Sequence, residues 1–293
     1  MLRGVLDCPE LPLNVSRSYL QNSAYASKIS SHIVKKVADR LNYLFNNDRD
    51  SYSEQWKDIK TFVEYASLRD KKFYDRVKNS ILFEKCDGST VTLAEYTEAS
   101  AEKHSGKVYY ANDKNAQAHY INMFANDGID VLLLDRIIDS QFVQLIEMTE
   151  ENIKFCRVDA ELPDFMKADT TAELEGVADI FKGFLKENTT VRIEALKDAS
   201  IPAILNVNED SRRMEDMMKM YAAAGQMPHE LMNTAEELIL NSNNELIATL
   251  CDKADKEAIA KYIYNLCVLS HRQLSPDELT GFLKDSYMLI SKL

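Results

Sequence analysis

The feature that most constrains what this chain can fold into is a change of hydrophobic period near residue 107. Upstream, apolar residues recur at three- and four-residue steps; downstream, short apolar runs alternate with helical stretches. Ile29, Ile33, Val37, Leu41 and Leu44/Phe45 predict one long amphipathic helix from 16 to about 46, ended by Asn46-Asn47-Asp48. Helices over about 52–66, around Trp56, and 70–79, around Phe73 and Val77, complete an all-helical unit that reads as a spacer.

The second pattern runs in two cycles. Val108-Tyr109-Tyr110 predicts a strand, 114–126 a helix, Asp127-Gly128 a turn and Val131 to Leu134 a buried strand; a helix over 140–149 and a strand from Ile153 to Val158 follow. Such alternation is the signature of a small parallel sheet with right-handed crossovers. Parallel sheets often bind nucleotides at their strand ends, but Ala111-Asn112-Asp113-Lys114 and Asp135-Arg136 offer no glycine for close backbone approach, so the sheet reads as scaffold.

A break at Leu162-Pro163-Asp164 and a polar, acidic stretch to Glu175 mark a domain boundary. Beyond it, the pattern predicts a helix near 173–187, then Val191 to Leu196 and Ala203 to Val207 as antiparallel strands joined by Lys197-Asp198-Ala199-Ser200. A helix over about 209–223 is closed by Gly225, a short strand spans Leu238 to Leu240, and helices cover 243–251, 255–270 and 276–291. Ser275-Pro276-Asp277-Glu278 combines a capping box with proline at the first helical position.

Composition excludes several functions. At 293 residues the chain has room for roughly two domains. Its net charge of -12 argues against gripping nucleic acid or an anionic membrane, both of which need clustered Lys and Arg. Five scattered cysteines without a C-x-x-C pair suggest neither a disulfide framework nor a zinc knuckle, and fit a reducing cytoplasm. The sequence has no signal peptide or membrane span. The 8 glycines never fall at a phosphate-loop spacing, so no nucleotide pocket is visible.

Three segments carry candidate function. Ser16 reads as a helix N-cap, placing Arg17 at the first helical position, where the dipole disfavours a cation by roughly 0.3–1 kcal/mol. A cation there needs an anionic partner, and Gln21 lies one turn along the same face. Met214, Met217, Met218 and Tyr221 build a methionine-faced helix, which either meets varied apolar partners or packs on neighbouring strands. Arg212, Arg213, Glu215, Asp216 and Lys219 show only that its other side is solvated. The last two helices have broad apolar faces, including Tyr262, Ile263, Leu266 and Leu269, which fit either a four-helix bundle with a second copy or their own domain. The five histidines lack metal-ligand spacing and read as surface or helix residues, and no independent catalytic centre is visible.

Arg3-Gly4-Val5-Leu6-Asp7, Leu11-Pro12-Leu13-Asn14-Val15-Ser16-Arg17 and Leu20-Gln21 closely resemble the middle-domain segment R-G-V-V-D-x-x-x-L-P-L-N-x-S-R-x-x-L-Q of the heat-shock-protein-90 chaperone family, in its bacterial HtpG form. The resemblance covers essentially the whole chain, more weakly after residue 160. It runs through Tyr52 to Trp56 and Val108 to Val158, and reaches Met214, Met218 and Ala222-Ala223-Ala224-Gly225-Gln226, similar to the family's client-contacting helix. It implies a helix-rich α/β and α+β fold in three parts. Residues 1–85 would be the end of the middle domain, with catalytic loop and helical coil; 86–162 a small α/β/α subdomain with a three-stranded parallel sheet; and 163–293 an α+β client-contacting and dimerisation domain ending in helices.

The resemblance also assigns roles. Arg17 and Gln21 would reach ATP, bound with Mg on an N-terminal ATPase domain that family members carry before this segment. The chain is therefore expected to be the C-terminal part of such a chaperone, to bind neither cofactor alone and to be inactive alone. Ser18 stands where glutamate commonly follows the arginine, which alters loop packing but not the role. Met214, Met217, Met218 and Tyr221 would contact unfolded clients, and Tyr262, Ile263, Leu266, Leu279, Phe282, Leu283 and Leu289 a homodimer partner. The end at Leu293, without an M-E-E-V-D tail, points to a bacterial cytoplasmic protein lacking tail-docked tetratricopeptide-repeat partners. The competing expectation is a dimeric adaptor with no link to ATP.

Overall fold

The computed structural model describes residues 24–208, 211, 213, 214, 235–270 and 274–291. The chain divides into two compact units, one up to Leu82 and one from Phe83 onward.

The described part of the first unit is helical: α1 (Ala24–Asn47), α2 (Arg49–Arg69) and α3 (Lys71–Val77). Short-range chemistry sets the breaks. The Asp48 carboxylate accepts from Ser51 N at 3.3 Å and caps α2, while Asp70 ends α2 and caps α3 by accepting from Lys72 N at 2.9 Å. Tyr52 and Trp56 of α2 bury their rings, with centroids 5.6 Å apart, alongside Phe73, Tyr74 and Val77. The Tyr52 hydroxyl donates to Ser80 O at 2.9 Å, and burial pushes its pKa up to about 12. The expected helices are all present, and the stretch expected to begin the first of them at residue 16 lies outside the described residues.

The second unit opens with a hairpin, β1 (Leu82–Glu84) and β2 (Thr90–Thr92), and α4 (Leu93–His104). The sequence reading leaves 80–106 without an element, although Thr92 and Glu95 form a reciprocal capping box that marks the start of α4. Next come β3 (Lys107–Ala111), α5 (Ala118–Asn126), β4 (Leu132–Leu133), α6 (Ile137–Thr149) and β5 (Lys154–Arg157). The three strands form the expected parallel sheet, in order β4-β3-β5. Helix α5 starts later than expected because the Asp113 carboxylate accepts from Asn115 N and Ala116 N, at 2.9 and 3.0 Å, holding that stretch as a turn. Gly106 takes a φ of 78° where the chain enters β3, and a Cβ there would lie 2.5 Å from Asn152 O.

After α7 (Val177–Lys182), a second sheet forms from β6 (Thr189–Glu194), β7 (Ala203–Val207) and β8 (Glu236–Asn241). Helix α7 is shorter than the expected 173–187, bounded by Gly176 and Gly183. Strands β6 and β7 run in opposite directions as expected, but they are not neighbours: β8 lies between them, parallel to β6 and antiparallel to β7. The carboxamide of Asn241, at the end of β8, explains the wide connection. It accepts from Leu196 N at 2.9 Å and donates to Asp198 O and Ile201 O at 2.9 and 2.7 Å, so the connection wraps around β8.

The chain ends its described part with α8 (Glu245–Ala248), α9 (Lys256–Leu269) and α10 (Pro276–Ile290). Ser275 and Glu278 make the capping box read from the sequence. One face of the second sheet packs on α7 and α9 through Leu205, Leu238, Phe181 and Ile263. The other contributes Ile204 and Ile239 to the core that also holds Tyr109, Phe124 and Val158 of the parallel-sheet module. The core thus continues across the turn at Leu162-Pro163-Asp164.

Candidate functional site

Arg17 and Gln21 lie outside the described residues, as do Met217, Met218 and Tyr221. Met214 is described, on a helical residue, and is 57% exposed.

Its neighbour Arg213 is not the simply solvated residue that the sequence reading makes it. Its guanidinium grips Glu147 of α6 in a fork, Nη1 to Oε2 at 2.6 Å and Nη2 to Oε1 at 2.9 Å, and Nη2 also donates to Phe155 O at 3.0 Å. Glu147 Oε1 accepts in turn from Phe155 N at 2.7 Å, so one carboxylate ties α6, β5 and the methionine-bearing segment together. Both side chains are about one-fifth exposed, where a planar bidentate pair is worth more than a surface ion pair. On the far side of Glu147 in sequence, Met148 is 87% exposed. The pair therefore joins two segments that each present a bare thioether. The i to i+3 spacing rules could not have found it, since its partners are 66 residues apart.

The predicted dimer residues divide. Ile263 is 2% exposed and fills the core beneath the second sheet, leaving no surface for a partner; its place on α9 faces inward. Tyr262 and Phe282 stack on each other within the chain, with ring centroids 5.1 Å apart and planes 7° apart, joining α9 to α10. Leu266, Leu279 and Leu283 stand exposed, Leu289 is half-buried, and α10 has no buried residue. Leu269 and Met288 extend the exposed apolar strip.

The strand ends of the parallel sheet, where a nucleotide would sit, are filled by the chain itself. Gln117 accepts from Asn112 N and Asp113 N at 2.9 and 3.1 Å and donates to Asp159 at 2.9 Å, while Arg157 Nε donates to the same carboxylate at 2.7 Å. All three side chains are buried. The described residues thus form no cradle for a phosphate here, and among them no three His, Cys, Asp or Glu gather as a metal site. Cys86, Cys156 and Cys267 are buried, and burial pushes the thiols of Cys86 and Cys267 up to about 11 and about 12, which suits packing rather than nucleophilic attack. Among the described residues no helix is long and apolar enough to cross a membrane.

The family model described as Hsp90 protein matches residues 1–275. The chain belongs to the Hsp90 family. The chaperone protein HtpG of Bacteroides thetaiotaomicron is 37% identical over 275 residues, covering 87% of this chain and 40% of that protein. The corresponding protein of Bacteroides fragilis strain 638R is 36% identical over 280 residues, with 89% and 40% covered. That of Vibrio parahaemolyticus is 26% identical over 311 residues, covering 100% of this chain and 48% of that protein. This Hsp90-family chain thus spans about two-fifths to one-half of the length of these relatives, and its match to them is of HtpG type.

Proposed function

We propose that this chain is the part of an HtpG-type chaperone that holds non-native polypeptides and joins two protomers, comprising the end of the middle domain and the C-terminal domain. Family membership supports the chaperone class, and the exposed Met214, fixed beside α6 by Arg213 and Glu147, carries the client-contact reading. Met214, Met217, Met218 and Tyr221 present flexible apolar side chains that repack against varied sequences. The homodimer forms through Leu266, Leu279, Leu283 and Leu289, braced by the Tyr262–Phe282 stack. The whole protein works in the cytoplasm and couples holding to ATP.

The experiment is suppression of aggregation of an unfolded protein by the chain carrying Met214→Ser with Met218→Ser. Suppression should weaken several-fold while sedimentation still reports the same oligomer; unchanged suppression returns the helix to a packing role.

Arg17 supplies a guanidinium to ATP held, with Mg, on an N-terminal ATPase domain, and Gln21 supports that arrangement; a fork of this kind stabilises charge on a transferring phosphoryl group. Adding the ATPase domain and the connecting middle segment, then comparing Arg17 with Arg17→Ala, tests this role. Equal turnover would favour the ATP-independent adaptor.

A further inference from the structure

A cavity of about 480 Å³ opens where the second sheet parts from the parallel-sheet module. Its wall on the sheet is a cross-strand row, Thr190 of β6, Glu237 of β8 and Asn206 of β7, matched in register. The same face of the sheet buries Ile204 and Ile239 one step along, so the row lies where apolar packing stops.

The charges around the cavity cancel in pairs. Lys107 bonds to Glu161, Lys167 to Asp164 at 2.7 Å and Arg192 to Glu237 at 3.5 Å. An ion entering would have to break one of these pairs. Asn206 is different: it lines the cavity, is 3% exposed, and its Nδ2 has no acceptor among the described residues. Buried amide donors are nearly always satisfied, so a single unpaired one on a roomy, charge-balanced cavity marks a place for an outside acceptor. A carbonyl oxygen provides the acceptor without a charge, and an amide adds an N–H for the oxygen-rich surroundings.

We propose that this cavity binds an uncharged amide, the peptide bond or carboxamide side chain of an extended polypeptide, with Asn206 donating to its carbonyl oxygen. The site goes beyond the client-contact reading and does not depend on the methionine helix.

The test is a proton–nitrogen NMR titration of the full chain, following the Asn206 side-chain NH₂ signals. N-acetyl-glycyl-glycine methylamide probes a backbone source and N-acetyl-glutamine methylamide a side-chain source; acetate and inorganic phosphate serve as anion arms. The neutral amides should shift the Asn206 signals saturably, and the stronger of the two identifies the source. Backbone signals of Thr190 and Lys167 should then report about 3- to 10-fold weaker binding in Asn206→Ala, as for loss of one neutral hydrogen bond. Asn206→Ser, which keeps a short donor, should lose less. No shift up to the solubility limit, equal affinity in Asn206→Ala, or a response to the anions alone would each overturn the proposal. Met214→Ser with Met218→Ser should titrate like the parent, which separates this site from the chaperone reading.

Discussion

The crest of the parallel sheet and the outer face of the α9–α10 pair end in opposite ways. At the crest, Gln117, Arg157 and Asp159 turn inward and satisfy one another, leaving the strand ends closed. On α10, Leu279 and Leu283 face outward at more than two-fifths exposure with nothing of their own chain over them. The crest has the topology of a ligand site but is sealed, whereas the helix pair lacks a concave site but keeps apolar surface open. Fully covering a leucine is worth roughly 1.5–3 kcal/mol, so leaving several bare forgoes stability that a second copy would restore. The contrast suggests that this chain meets other polypeptides through surfaces its own core leaves uncovered, and that its sheet is a support.

The sharpest way to break that contrast is to charge the open face and damage the closed one separately. Leu279→Glu with Leu283→Glu should raise the dimer dissociation constant about 100-fold or more, because two carboxylates would enter an interface without partners, while the unfolding midpoint of the monomer barely moves. Asp159→Asn should do the reverse. Removing the charge facing buried Arg157 should cost about 3–5 kcal/mol of stability and leave the association constant of the folded chain unchanged. Sedimentation and denaturant unfolding read the two effects. A parent chain that is monomeric at micromolar concentration would remove the dimer from the comparison.

A smaller effect is expected at the tie between the two regions that carry methionines. Glu147→Gln should lose one charged partner of Arg213, costing about 1.5–3 kcal/mol, and weaken aggregation suppression about as far as the methionine substitutions do. The exchanged pair Glu147→Arg with Arg213→Glu should recover part of both losses. If suppression is untouched in Glu147→Gln while stability falls, the fork supports only the fold and does not position a client surface.

The parts that were legible in the sequence are those fixed by local rules. The helical unit, the α/β alternation from Val108 to Val158 and the Ser275 cap all follow from periodicity and capping, and the parallel sheet follows from the alternation. Strand neighbours are not local. A short link between β6 and β7 looked like a hairpin, yet β8, far along the chain, enters between them because its Asn241 satisfies the link's backbone groups. Helix periodicity likewise placed Ile263 with Leu266 on α9, but could not tell which was turned to the core and which to solvent. The Arg213–Glu147 fork and the cavity at Asn206 were invisible for the same reason: each exists only after distant segments meet.

The smallest effect separates the closed region from the open one by pH. His104 is buried against Tyr96, Tyr109 and Phe165, with Nδ1 2.9 Å from Lys107 O. Burial holds its pKa below the ordinary value, and the neighbouring charges of Lys103 and Lys107 push the same way, although the contact with Lys107 O pulls upward. A lowered histidine pKa means that the unfolded chain takes up the proton first. Its contribution is therefore intact above about pH 6.5 and is lost as pH falls toward the lower folded pKa, at no more than about 1.4 kcal/mol per pH unit. His104→Gln should flatten the part of the stability profile between pH 7 and 5 that this residue contributes, measured by denaturant unfolding at each pH. The exposed leucines of α10 do not titrate, so the dimer constant, extrapolated to folded chain, should show no matching step at His104's transition. A step of equal size in both measurements would mean that the sealed module and the open helix face are one cooperative unit, and the contrast between them would fail.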